Sequence, residues 1–141
     1  MIGNKWTVLL VDDSVDDRLF MRRIIERSDR LLVVGEARDG HEAIDYLMGA
    51  DTFGDRVQFP YPDILLLDLK MPRKNGFDVL EWIKSEKSNN LLVFVTSGSW
   101  LKEDVERSQA LGANGYFKKT SDKHAQEEMV SKILQLSEGK F

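Results

Sequence analysis

The chain has 141 residues, no cysteine, 42% hydrophobic residues and a net charge of −4 from 20 Lys+Arg against 24 Asp+Glu. One domain of this length buries roughly two-thirds of its unfolded surface without help, and the missing thiols exclude a disulfide framework, a thiolate zinc site and a cysteine nucleophile. The acidic balance speaks against bulk attraction to nucleic acid or an anionic membrane; no apolar run can span a bilayer and Met1–Trp6 lacks a secretory core, so a single cytoplasmic domain over 1–141 is expected.

In chain order, Val8–Val11 predicts a first strand. Ser14 followed by Asp17 has the spacing of a capping box, opening a helix with an apolar stripe of Val15, Leu19, Phe20, Ile24 and Ile25. Leu31–Val34 predicts a second strand, and Asp39 with Glu42 caps a helix carrying Ala43, Ile44, Leu47 and Met48. The stretch Gly49–Pro62, with Phe53, Phe59 and Tyr61, is longer than most connections in α/β domains. It reads as an elaborated loop or, less simply, as a partner surface. Ile64–Leu67 is the third strand, followed by a helix containing Phe77, Leu80 and Ile83. Leu91–Val95 is the fourth, and a helix from Leu101 to about Leu111 is stopped by Gly112. Gly115–Lys118, around Tyr116 and Phe117, is the fifth strand. The last helix, about Asp122 to Leu136, shows Met129, Val130, Ile133, Leu134 and Leu136, leaving Ser137–Phe141 as a tail.

The strands are apolar on both faces, as in sheets covered by helices on both sides. Strands alternating with helices imply parallel pairing, right-handed crossovers and an open, doubly wound (βα)5 sheet. Such sheets bind at the carboxyl ends of their strands. There stand Asp12 and Asp13 after the first strand, Asp68 and then Lys70, Pro72, Asn75 and Gly76 after the third, Thr96 and Ser97 after the fourth, and Lys119 after the fifth.

Three carboxylates and one ammonium leave a negative cluster that recruits a cation or raises a pKa. Carboxylate oxygens with water suit Mg2+, with Mn2+ as an alternative. Beside such an ion and a lysine, a carboxylate can attack a phosphoryl group and form an acyl phosphate. Asp68 ends the central, most apolar strand and is the expected nucleophile; Asp12 and Asp13 fit a paired metal role. Lys119 is a point charge for a phosphoryl oxygen, Thr96 a hydroxyl donor to another, and the Lys70 backbone carbonyl a further metal ligand.

The blocks Val11-Asp12-Asp13, Pro62–Pro72 around Asp68, Asn75-Gly76, Val95-Thr96-Ser97 and Gly112–Lys119 resemble the receiver domain of two-component response regulators, over about Lys5 to Leu136. The resemblance implies a flavodoxin-like sheet of order 2-1-3-4-5. It implies that Asp68 accepts phosphate from a phosphohistidine on a sensor histidine kinase or phosphotransfer protein, and that Asp12, Asp13, Asp68 and the Lys70 carbonyl hold Mg2+. Thr96 and Lys119 would contact the phosphoryl group, and Tyr116 matches the aromatic whose rotamer follows the threonine. Such a receiver is a signalling module with only self-phosphorylation and autodephosphorylation, not an enzyme for other substrates. Its output is contact with a downstream protein target, and a homodimer through the fourth-helix, fifth-strand, fifth-helix face is a family expectation; nucleic acid and membrane are not expected partners. With only Ser137–Phe141 after the last helix, a stand-alone receiver is expected. The long Gly49–Pro62 stretch resembles the subgroup that partners bacterial phytochrome-type kinases.

Thr120 replaces the proline usual after the lysine, so the turn there is expected to differ. Two other readings remain. One is a degenerate receiver acting only as a binding module. The other is a phosphohydrolase of the haloacid-dehalogenase type, which usually has an acid two residues after the nucleophile, where this chain has Lys70. His41 and His124 have no ligand-spaced neighbours and are expected to face solvent, Trp100 is a candidate partner contact or a packing residue, and Lys118, Lys119 and Lys123 form a local basic cluster.

Overall fold

A computed structural model describes the chain over residues 1–86, 90–98 and 100–140. Strands and helices alternate: β1 (Trp6–Val11), α1 (Val15–Glu26), β2 (Leu31–Ala37), α2 (Gly40–Met48), β3 (Ile64–Asp68), α3 (Gly76–Glu86), β4 (Leu92–Ser97), α4 (Lys102–Ala110), β5 (Gly115–Lys118) and α5 (Lys123–Lys140), with a short 3-10 turn at Asp51–Gly54. All pairings between the strands are parallel, in the order β2-β1-β3-β4-β5, as expected.

The two-faced apolar strands are explained by two cores. Leu9, Val11, Leu65, Leu67, Val93 and Val95 pack with Ala43, Ile44, Leu47, Val79 and Leu80 of α2 and α3. The alternate residues Val8, Leu10, Ile64, Leu66, Leu92 and Phe94 pack on the other face with Ile24 and Ile25 of α1 and Met129 and Ile133 of α5. A slip of one residue along any central strand would exchange these two sets, so the doubled pattern pins the register.

Several sequence expectations need correction, among them β1, which starts at Trp6, and β4, which starts at Leu92 and takes in Thr96 and Ser97. The α1 stripe is split: Ile24 and Ile25 are buried, but Val15, Leu19 and Phe20 are 67%, 48% and 42% exposed. At that end of α1 the inward positions belong to Asp17 and Arg18, which turn to Lys119 and Glu36. A cleft of about 830 Å3, lined by Leu10, Phe20, Met21, Phe117 and Met129, separates this half of α1 from α5. Met48 is exposed, while Ala43, Ile44 and Leu47 are buried as expected. The β2 strand runs on to Ala37 past a register shift, with Val8 opposite Val33 and Leu9 opposite Gly35. The α5 helix continues to Lys140, with Ser137 fully buried and donating to the Ile133 carbonyl; Phe141 lies outside the described residues.

The long connection behaves as an elaborated loop. Gly49 adopts φ +67 and ends α2, and Phe53 and Phe59 pack edge-on against each other and around Tyr46. Arg56 donates to the carbonyls of Tyr46 and Leu47 in the last turn of α2 and to that of Phe59 in the loop, tying the two together. Tyr46 in turn donates to Pro60 O at 2.9 Å, and its ring lies where a Cβ on Gly35 would be. No described helix is long and apolar enough to cross a membrane.

Candidate functional site

The parallel ladder gathers the acids. Val11 lies opposite Leu67, so Asp12 and Asp68 leave the sheet side by side. Asp68 lies opposite Thr96, and Ser97 opposite Lys118, so Lys119 follows at the same edge with its amide donating to Ser97 O at 2.8 Å. Asp12 and Asp68 are only 7% and 5% exposed, while Asp13 is exposed.

Below β3 the turn is tight. The Gly76 amide donates to Leu69 O at 2.9 Å, and a Cβ at Gly76 would stand 2.5 Å from Asp68 O and 2.7 Å from Leu69 Cα. Asn75 and Asp78 form a reciprocal capping box, each side chain accepting from the other's amide at 3.0 and 3.1 Å. Arg73 holds φ +67 in this turn and pairs with Asp39 at 3.4 Å.

Lys119 Nζ donates to Asp12 Oδ2 at 2.6 Å and to Asp17 Oδ2 at 2.9 Å, and lies 3.6 Å from Asp68 Oδ1. Burial works against its charge, but the bonds to Asp12 and Asp17, with the charges of Asp68 and Asp12, outweigh it and hold the ammonium well above the ordinary lysine range. Lys118 is exposed, and it is Lys119 that enters the site, as strand alternation predicts.

For Asp68 the balance runs the other way. Burial, helped by the neighbouring charges of Asp12 and Asp13, pushes its carboxyl up to about 6, against the opposing charge of Lys119 and the Lys70 amide. This is the expected response of acids crowded together in a buried place. Oxygens of Asp12, Asp13 and Asp68 all lie within 4.8 Å of one another, close enough that a hard ion with bonds of about 2.1 Å would engage them after a small side-chain adjustment or through one of the waters it keeps. The donor set thus fits magnesium or manganese.

Thr96 is 4% exposed at the end of β4. Tyr116 packs edge-on against the half-exposed Trp100, ring centroids 5.3 Å apart, and forms a hydrogen bond with Ser97. Burial raises its phenol pKa, the Ser97 bond lowers it, and the negative charge of Asp104 adds to the rise. Trp100 is therefore both exposed and packed. Thr120 shapes the turn after the lysine: its hydroxyl accepts from the Asp122 amide at 3.0 Å, its carbonyl from Gln126 Nε2 at 2.9 Å, and Asp122 then accepts from Ala125 N to start α5. His41 and His124 are exposed and each sits beside an acid one turn along its own helix, Asp45 and Glu128.

Two site residues were not foreseen. Asp17 keeps only half of the predicted capping box: its amide donates to Ser14 Oγ at 3.1 Å, but its carboxylate goes to Lys119, and Asp12 Oδ1 accepts from the Ser14 amide instead. Arg18 donates to the Asp12 carbonyl at 2.6 Å and to Glu36 at 3.0 Å, with Arg22 on the second Glu36 oxygen. Burial would raise the Glu36 carboxyl, yet Arg22 and Arg18 hold it below its ordinary value. The available signal was their place in the first turn of a helix that starts at the acid pair.

Comparison with known proteins agrees with this geometry. The family model described as response regulator receiver domain matches residues 8–133. The nitrate/nitrite response regulator protein NarL of Escherichia coli K12 is 32% identical over 135 residues, 96% of this chain and 56% of NarL. The chain thus spans about half the length of that curated relative. Among solved structures, the phosphorylated cyanobacterial phytochrome response regulator RcpA superposes with a TM-score of 0.79 at 30% identity, covering 94% of this chain and 93% of RcpA. RPA3017, a response regulator in red light signaling of R. palustris, gives 0.74 at 32% identity, with 89% of each chain covered. The Mn(2+)-bound form of Rcp1 gives 0.72 at 30% identity, with 91% of each chain covered.

Proposed function

The chain belongs to the response regulator receiver domain family, and from that membership we propose that Asp68 accepts a phosphoryl group from a phosphohistidine on a sensor kinase or phosphotransfer protein. One Asp68 carboxylate oxygen bonds to phosphorus as the bond from phosphorus to the donor imidazole nitrogen breaks, and the released imidazole takes up a proton. Asp12, Asp13 and Asp68 would hold Mg2+, with the Lys70 carbonyl as a further oxygen; when bound, the ion neutralises charge on the acids and on the phosphoryl oxygens. Lys119 supplies the positive partner for one phosphoryl oxygen and Thr96 a hydroxyl donor for another. Tyr116 leaves its contact with Trp100 as Thr96 is drawn inward, and that surface, with α4 and α5, is the proposed contact for a downstream protein.

The observation that supports this reading most is the meeting of three carboxylates and one lysine, from three different strand ends, within bonding reach. Similarity to RcpA and RPA3017, regulators named for phytochrome and red light signalling, supports a kinase of the phytochrome type as the phosphodonor.

Incubation with phosphoramidate or acetyl phosphate and Mg2+, followed by intact mass measurement, tests the reading. One labile phosphate is expected on the wild type and none on Asp68→Asn. Continuous turnover of phosphate esters would support the haloacid-dehalogenase alternative, and no adduct under saturating donor would leave a binding module.

A further inference from the structure

Lys119 faces two demands in this site. In the resting geometry it is committed to Asp12 and Asp17, at 2.6 and 2.9 Å, and stands further, at 3.6 Å, from Asp68. The ammonium is needed at Asp68 only once a phosphoryl group is there. Asp12 is shared with the metal cluster, but Asp17 lies outside the group of acids that could hold an ion, so its carboxylate is free to serve the lysine alone. Asp17 sits on the first turn of α1, whose start is fixed by the bonds of Ser14 to Asp17 N and Asp12 Oδ1. The helix therefore holds this carboxylate against the ammonium, at a shorter distance than Asp68.

We propose that Asp17 is a positioning residue that tethers Lys119 away from Asp68 in the unphosphorylated state and must release it when the phosphoryl group arrives. The proposal rests on the phosphoacceptor reading above. An ion pair made in one state and given up in the other biases the equilibrium toward the state that keeps it. Asp17 thereby acts as a brake: it stabilises the resting form, and its loss favours the phosphorylated one.

The test is beryllofluoride affinity in the presence of Mg2+, followed by Trp fluorescence, together with the level of phosphate reached with phosphoramidate by intact mass. Asp17→Asn is expected to tighten beryllofluoride binding about threefold to tenfold, the range of one partly exposed charge-assisted bond, and to raise the phosphorylated fraction. Asp17→Glu, which keeps the carboxylate, should restore wild-type affinity. Asp16→Asn removes the same charge from the same helical turn and should shift affinity by less than about twofold, the scale of an exposed charge acting at a distance.

Unchanged or weaker beryllofluoride binding in Asp17→Asn overturns the tether, and so does an equal gain in Asp16→Asn, which would make the effect one of general charge. A wild type that binds neither beryllofluoride nor phosphate sinks the phosphoacceptor reading and the tether together; normal wild-type binding with an indifferent Asp17→Asn sinks only the tether.

Discussion

Asp68 is held in a place that disfavours its charge. It is 5% exposed, flanked by two other acids, and its carboxyl is raised to about 6 from an ordinary 3.8. A group whose folded pKa is raised favours the fold most when protonated. Its stabilising contribution is complete below the unfolded value and fades as the pH climbs through about 6. An asparagine there is isosteric and stays neutral. In the absence of divalent ions, Asp68→Asn should therefore be more stable than the wild type at pH 7.5, by about 1–3 kcal/mol for a shift of this size, and the two should converge near pH 4. Urea unfolding with chelator at both pH values measures this; an Asn variant no more stable at pH 7.5 would contradict the burial argument. At this same scale the meeting of Asp12, Asp13, Asp68 and Lys119 was legible in the sequence, because each stands at the end of an apolar run. It could not reveal what Asp17 does, since a capping spacing looks the same whether the acid turns to its own helix or to a lysine 102 positions away.

Elements place these residues with little slack, most visibly between β3 and α3. The helix begins at Gly76, whose amide donates a hydrogen bond to Leu69 O, in a space that a methyl group cannot enter without displacing backbone at 2.5 and 2.7 Å. Gly76→Ala should cost about 1–3 kcal/mol, in the range of overpacked buried sites, and because the obstructing atom is the Asp68 carbonyl oxygen, the variant should also take up phosphate more slowly than its loss of stability explains. Thermal unfolding and phosphorylation rates measured well below the variant's Tm separate the two effects; full stability with a normal rate would show the turn to be more compliant. The strands themselves were legible because their alternate residues feed two different cores, which leaves few polar positions to confuse the pattern. The helices were less so. The α1 stripe is continuous in sequence, yet only its lower half meets the sheet, since a helix covers what its neighbours leave open and α5 stands away from the upper half across the cleft. The end of α5 was read short because apolar spacing stops at Leu136, whereas the helix continues over the buried Ser137, whose hydroxyl is satisfied by Ile133 O.

For the whole molecule, the crowded acids are a stability cost that the fold carries and that a bound cation would offset. The two-sided core keeps five strand ends in register, and that rigidity forces three acids together with Lys119 as their partner. Any ion that binds only the folded state adds RT ln(1 + [L]/Kd) to its stability, about 2.7 kcal/mol at a concentration about 100 times Kd, which for a chain of this size is a rise of several degrees in Tm. The gain should depend on pH in a definite direction. Protons and the ion compete for Asp68, so Mg2+ should stabilise strongly at pH 7.5 and progressively less as the pH falls through about 6, where the Asp68 carboxyl is protonated. Asp13→Asn, which alters an exposed acid outside the core, should remove most of the Mg2+ effect while leaving the ion-free Tm nearly unchanged. Scanning calorimetry with Mg2+ against sodium at matched ionic strength makes the comparison. A Tm gain equal in both salts, or one that survives at pH 5, would mean that the acids respond to screening alone and that the cluster does not close around an ion.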